Sequence, residues 1–236
     1  MSKVLDLHNL HFIDLTHTLT PTIPQWGNGC GFQHKNISDY NDYPSNAKFR
    51  VQSIEMAAGI GTHMDAPAHC FENGKDIVSL SLEQLIVPCT VISVSEKSHE
   101  NYSITPEDIL EFEKKCGEIN KNSVVIFYTG WDKFWHTPEK YRNNLVFPSV
   151  SAKAAELLLK RDIAGLGIDT LSADKKDSEF PVHQLILGAG KYLIENIANA
   201  SLLPETGSTI IALPLKIQHG TESPIRLVGV TPLEAF

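Results

Sequence analysis

The sequence predicts an α/β fold: a single domain over residues 1–236, built on a large mixed sheet or barrel with flanking helices. Two observations lead there. Segments of strand character interleave with segments of helical character, and the strands outnumber the helices. The chain, at 236 residues with 42% hydrophobic and 20% charged residues, is also long enough to bury one substantial core.

The elements read as follows. The stretch from Pro21 to Pro44 mixes Pro, Gly, Asn and Asp with Trp26, Phe32, Tyr40 and Tyr43. Loops this long in compact domains serve function or are disordered, and the aromatic content predicts an ordered one. Val87 to Val94 is a β-rich run with Pro88 near its start. Thr105-Pro106-Glu107-Asp108 starts a helix: a Thr cap, Pro in the first helical position, then acidic residues at the positive helix end. Ile109, Leu110 and Phe112 continue it and Gly117 ends it. Val124 to Tyr128 is a buried-type strand. Ser151 to Arg161 is a Ser-capped helix, and Ile163 to Asp169 a following strand. Ile210 to Leu213 and Ile225 to Val230 are late strands. Gly188-Ala189-Gly190 is no dinucleotide fingerprint, since the spacing is wrong and no clear strand precedes it.

Bulk properties exclude several classes. The net charge of −8, with scattered basic residues, argues against a nucleic-acid surface. No apolar run approaches the roughly 20 residues needed to cross a bilayer. The N-terminus lacks a signal-peptide pattern, so a cytoplasmic location is expected. Cys30, Cys70, Cys89 and Cys116 form no CxxC pair, and free thiols are expected.

Chemistry concentrates in Gly59-Ile60-Gly61-Thr62-His63-Met64-Asp65-Ala66-Pro67-Ala68-His69-Cys70. In an extended chain, residues two apart face the same way. His63 and Asp65 would then project together, and imidazole and carboxylate both ligate zinc or manganese. Gly61 lets the backbone approach closely. Pro67 ends the strand, and the turn can return His69 to the same pocket as a ligand or a general base. The competing reading is an ordinary hydrogen-bonded His–Asp pair.

The segment resembles the signature of the cyclase family, His-x-Gly-Thr-His-x-Asp-x-Pro-x-His, which includes bacterial kynurenine formamidase and isatin hydrolase. It matches at Gly61, Thr62, His63, Asp65, Pro67 and His69. The resemblance extends to Ile13 to His17 with Pro21 and Pro24, to Gly167 to Asp174, to His183 with Leu187-Gly188 and Glu195-Asn196, and to Pro214 to Ile217 with Pro224 and Arg226. It implies a swivelling β/β/α architecture. It implies that His63, Asp65, His183 and Glu195 are metal ligands, that His69 is the catalytic base, and that Trp26 lines the substrate pocket. On the residues alone, His183 and Glu195 would read as a surface histidine and a helix or strand-edge glutamate. A homo-oligomer, dimer or tetramer, is expected by the same resemblance.

One departure stands out. The motif's first histidine is Gly59 here, and in two-metal members that histidine is a ligand. A single tightly bound zinc or manganese ion is therefore expected. A substitute ligand such as His34 or Cys70, or loss of catalysis, are the alternatives. The vacated volume would be filled by water, substrate or a side chain from the Pro21–Pro44 loop. The function implied is metal-dependent hydrolysis of a small molecule at a C–N or ester-like carbonyl, with an N-formyl aryl amide leading and a cyclic amide or lactone next. The rival is a cyclase-fold binding protein without turnover. A serine or cysteine hydrolase lacks the Gly-x-Ser-x-Gly elbow, and Cys70 has no base-orienting set. His17 and His219 have no assigned role, and Tyr128, Trp131, Phe134 and Trp135 read as packing.

Overall fold

A computed structural model describes residues 7–27 and 31–233. Cys30 and the first six residues lie outside the described residues.

The strands are β1 (Leu10–Asp14), β2 (Phe32–Ser38), β3 (Val51–Met56), β4 (His63–Asp65), β5 (Ile86–Ser93), β6 (Ser103–Ile104), β7 (Val124–Tyr128), β8 (Ser149–Val150), β9 (Gly165–Ile168), β10 (Tyr192–Glu195), β11 (Ser208–Pro214) and β12 (Glu222–Pro232). The helices are α1 (Leu82–Leu85), α2 (Pro106–Cys116), α3 (Pro138–Arg142), α4 (Ala152–Lys160) and α5 (Pro181–Gly188). The main sheet runs β1-β12-β11-β5-β7-β9-β10-β4, and β4 pairs back onto β12. Seven strands thus close into a mixed barrel, with β1 outside on the far edge of β12. No described helix is long and apolar enough to cross a membrane.

Side-chain parity along each strand decides which face is which. Val87, Cys89 and Val91 of β5, Val124 and Ile126 of β7, Ile194 of β10 and Met64 of β4 belong to one apolar cluster that fills the ring. The alternate residues Ile92, Val125, Phe127, Leu166 and Leu193 form a second cluster with Ile109, Phe112, Ala155, Leu158 and Ile186. That cluster is the seam between the barrel and helices α2, α4 and α5. Because Met64 points inward, His63 and Asp65 point outward, toward the side of the sheet where α5 lies.

The expected helix signals hold. Thr105 and Asp108 form a reciprocal cap on α2, and Gly117 follows it at φ 92°. Ser151 Oγ accepts from Ala154 N at 3.2 Å to start α4. Pro88 sits one residue before β5 begins to pair with β7, so its missing N–H costs no bond on that side.

Pro21–Pro44 is not all loop. Phe32–Ser38 is a strand, paired antiparallel with Val51–Met56 in a separate two-stranded ribbon. Its sequence, Phe-Gln-His-Lys-Asn-Ile-Ser, has neither alternation nor an apolar run, because both faces of the ribbon are largely exposed. The short strands β1 and β10 were likewise not legible as strands, being too brief to show a period, whereas the extended conformation expected at His63–Asp65 is β4.

Candidate metal centre

The centre is assembled by register. Strand β4 lies between β10 and β12, with Glu195 directly opposite His63 and Glu222 directly opposite Asp65. Directly opposed residues share a face with Cβ atoms about 4.5–5.5 Å apart, so four polar side chains are gathered on one patch. Gly61, at φ +63°, turns the chain into β4. Its carbonyl accepts from Asn196 Nδ2 at 2.9 Å and lies 2.9 Å from His63 Nδ1. Asn196, at φ 56°, ends β10, and its own carbonyl accepts from Thr62 Oγ1 at 2.6 Å. These bonds lock the start of β4 to the end of β10.

The fourth side of the site is α5. Asp174 Oδ1 accepts from Val182 N at 3.0 Å and Oδ2 from His183 N at 2.9 Å, capping the helix. The same Oδ2 lies 2.7 Å from His183 Nδ1. One carboxylate thus fixes the helix start and the ring.

His63 Nε2 stands 3.4 Å from Asp65 Oδ1 and 3.6 Å from Glu195 Oε2. His183 Nε2 stands 3.6 Å from Asp65 Oδ2 and 3.5 Å from Glu195 Oε1. Ligand atoms around a tetrahedral ion with bonds near 2.0–2.1 Å are separated by about 3.3–3.4 Å. All four residues are buried. Asp65 Oδ1 is also buried without a hydrogen-bond partner, and an orphaned carboxylate oxygen is costly unless a cation or proton meets it. The donor set, two imidazoles and two carboxylates, suits zinc or manganese. Among the described residues, two overlapping groups could hold an ion, His63–Asp65–Glu195 and Asp65–His69–His183, each with ligand atoms within 4.8 Å of one another.

Electrostatics agrees. Burial alone would deprotonate His183, but the Asp174 and Asp65 bonds outweigh it and raise its pKa to about 11. Burial likewise opposes the His63 cation, and Asp65 and Glu195 overcome it, so its pKa is raised. Burial pushes Asp65 up, yet His63 and His183 hold it below its usual value. Glu195 is raised to about 7 by burial and by the neighbouring Asp65 charge. Two carboxylates this close cannot both ionise freely without positive charge between them.

The centre floors a cavity of about 430 Å³, within the range of small-molecule sites. Trp26 and Phe180 are on its wall with ring centroids 5.7 Å apart. Arg142 holds the Trp26 segment by donating to Gln25 O at 3.2 Å and Trp26 O at 3.0 Å. His69, at the end of a 3-10 turn begun by Pro67, lines the same cavity with its side chain 33% exposed. Its pKa is raised, chiefly by Glu222.

Of the other residues considered, His34 lies on β2 against a separate shallow pocket with Lys35 and Glu55, so it is no substitute ligand. Cys70 lines the cavity but belongs to neither ligand group among the described residues, and burial raises its thiol pKa. His17 stacks on Trp135 at 3.8 Å, away from the centre. Trp131 and Trp135 are packed in their own buried cluster.

The space at Gly59 corrects an expectation. A Cβ on Gly59 would lie 2.2 Å from Glu222 Oε1 and 3.4 Å from His63 Nε2. The volume is filled by a side chain from β12, not by one from the Pro21–Pro44 loop. Glu222 was unread because its significance depends on the β4–β12 register, which no local pattern announces. Asp174 stands in a family-like segment, and its part in fixing His183 shows only in the fold.

A buried imidazole–carboxylate cluster at the base of a small-molecule cavity, on the outer face of a closed mixed barrel, defines a metal-centred enzyme. The Cyclase family model matches residues 13–175, and the chain belongs to that family. It is 33% identical over 216 residues to isatin hydrolase of Roseibium aggregatum, covering 83% of this chain and 81% of that one. It is 26% identical to kynurenine formamidase of Erythrobacter litoralis, covering 88% of each. Isatin hydrolase A from Ralstonia solanacearum superposes with a TM-score of 0.88 at 28% identity, covering 95% of this chain and 93% of that one.

Proposed function

We propose that this protein is a divalent-metal-dependent hydrolase of an aryl amide, with a cyclic amide of the isatin type as first substrate and an N-formyl aryl amide as second. The observation that carries the reading is the orphaned, buried Asp65 Oδ1 among His63, His183 and Glu195. The order of substrates follows the greater likeness to isatin hydrolase than to kynurenine formamidase, 33% against 26% identity. It reverses the order expected from the family resemblance.

His63, Asp65, His183 and Glu195 would hold one tightly bound zinc or manganese ion. A divalent ion there would supply Lewis acidity, polarising the scissile carbonyl and lowering the pKa of water. His69 takes the proton role, because all three site histidines line the cavity but His69 has by far the most exposed side chain. It accepts a proton from the attacking water and returns it to the leaving nitrogen. Trp26 and Phe180 offer apolar faces for a flat aromatic ring and exclude water around it. A fold that only binds would leave the exposed His69 and its carboxylate partner without use.

A cytoplasmic homo-oligomer completes the reading. The exposed β2–β3 ribbon supports the oligomer, since a lone two-stranded ribbon is at best marginally stable in water.

The test is metal analysis of protein purified without added metal, followed by turnover of isatin and of N-formylkynurenine. About one ion per wild-type chain is expected, and Asp65→Ala should retain almost none. If Asp65→Ala keeps a wild-type complement, the centre is misplaced. Two tightly held ions would overturn the single-ion stoichiometry, and failure on both substrates would overturn the substrate class.

A further inference from the structure

Each histidine of the centre has an oxygen beside its Nδ1. For His63 it is Gly61 O at 2.9 Å. For His183 it is Asp174 Oδ2 at 2.7 Å. For His69 it is Glu222 Oε2 at 3.4 Å. In the first two, the arrangement leaves Nε2 facing Asp65 and Glu195. A partner on one ring nitrogen selects the tautomer and the orientation of the other.

The third partner needs an opening to exist. Glu222 lies opposite Asp65 on β12, yet its carboxylate sits at the rim, 24% exposed where Asp65 is 2%. It reaches that place through the position a Cβ of residue 59 would occupy, 2.2 Å from its Oε1. Gly59 is not among the residues with positive φ, so its backbone conformation does not demand glycine. Space for the Glu222 carboxylate does. Glu222 is also absent from both groups able to hold an ion, which separates its position from that of a ligand.

We propose that Glu222 is the positioning residue of His69, and that residue 59 is glycine to admit its carboxylate. Glu222 accepts from Nδ1–H and holds the ring so that Nε2 is the nitrogen that exchanges a proton with the reacting molecule. Its negative charge stabilises the imidazolium that forms when Nε2 takes that proton. No atom is transferred to or from Glu222 itself. The geometry of the pair stands on its own, while its catalytic consequence rests on the hydrolase reading above.

The experiment is nuclear magnetic resonance of protein labelled with 15N-histidine, with and without added zinc, on wild type, Glu222→Gln, Glu222→Ala and Gly59→Ala. Wild type should show a low-field, slowly exchanging Nδ1–H for His69, assigned by its loss in His69→Gln. Glu222→Ala should lose that signal, and Gly59→Ala should lose it too, because its methyl takes the place of the Glu222 carboxylate. Glu222→Gln should keep it in weakened form, since the amide oxygen still accepts. In parallel, kcat for isatin hydrolysis should fall about 10–100-fold in Glu222→Ala, with KM and zinc content near wild type and a partial recovery in Glu222→Gln. Absence of the signal from wild type, or its persistence in Glu222→Ala, overturns the proposal. Equal loss of zinc in Glu222→Ala also overturns it, making Glu222 a ligand. If wild type shows the signal but neither binds zinc nor hydrolyses isatin, the pair stands and the hydrolase reading fails.

Discussion

At the scale of single residues, exposure separates the three histidines of the candidate centre, in line with the roles proposed for them. His63 and His183 are 6% and 7% exposed at the side chain, whereas His69 is 33% exposed. A proton carrier must meet water and substrate, while a ligand gains from exclusion of competing water. His69→Ala is therefore expected to retain its metal while kcat falls by roughly 100 to 10,000-fold, the usual range for general acid–base catalysis. Metal analysis beside a rate measurement decides it, and joint loss of metal and activity would move His69 into the set with Asp65 and His183. His63, Asp65 and His69 were legible because they lie within seven residues and their pairing needs only an extended chain and one turn. Glu222 was not, since it acts through partners distant in sequence, and Asp174 was not, since its bonds to Val182 and His183 cross an irregular loop with no periodic signal. For Gly59, the missing histidine could be seen but the reason for glycine could not. That reason is a steric contact 163 positions later in the chain.

Among the elements, two features stand out, one legible and one not. The capped helices were readable because a Thr or Ser cap, a Pro at the first turn and a Gly at the end are chemical signals local to the chain. The ribbon of β2 and β3 was hidden, since its strands carry no alternation. Its exposed apolar residues include Ile37 at 65%, Ile54 at 63% and Phe49, just before β3, at 57%. Scattered exposed apolar side chains are ordinary, but here they cluster on an element with little core of its own. A second copy covering the ribbon would bury them and supply the packing it lacks. Ile54→Asp is then expected to shift the protein toward monomer in light scattering coupled to size exclusion, leaving the far-ultraviolet circular dichroism of the barrel intact. A wild-type protein that is monomeric at micromolar concentration would refute this role for the ribbon.

For the whole molecule, the candidate metal centre and the closure of the barrel are the same place. The ring closes through β4, three residues long, which pairs with β10 on one side and β12 on the other. A strand so short contributes few ladder bonds. Yet it carries His63 and Asp65, and its neighbours carry Glu195 and Glu222. Three carboxylates crowd this seam, and Asp65 Oδ1 is buried without a hydrogen-bond partner. An ion bound only by the folded form stabilises it by RT ln(1 + [L]/Kd), about 4 kcal/mol at a thousandfold excess over Kd. Chelation should therefore lower the melting temperature by several degrees or more, and added zinc or manganese should restore it. The loss should also be local. Amide exchange is expected to quicken in β4 and the adjoining ends of β10 and β12, and around the start of α5 where Asp174 and His183 are joined. The parallel β5–β7–β9 wall, packed on both faces by apolar clusters, should keep its protection. Hydrogen exchange read by mass spectrometry with and without chelator makes the comparison directly. Uniform quickening across the barrel would mean that the centre does not act as the clasp of the seam, and no change at all would mean that His63, Asp65, His183 and Glu195 hold no ion in solution.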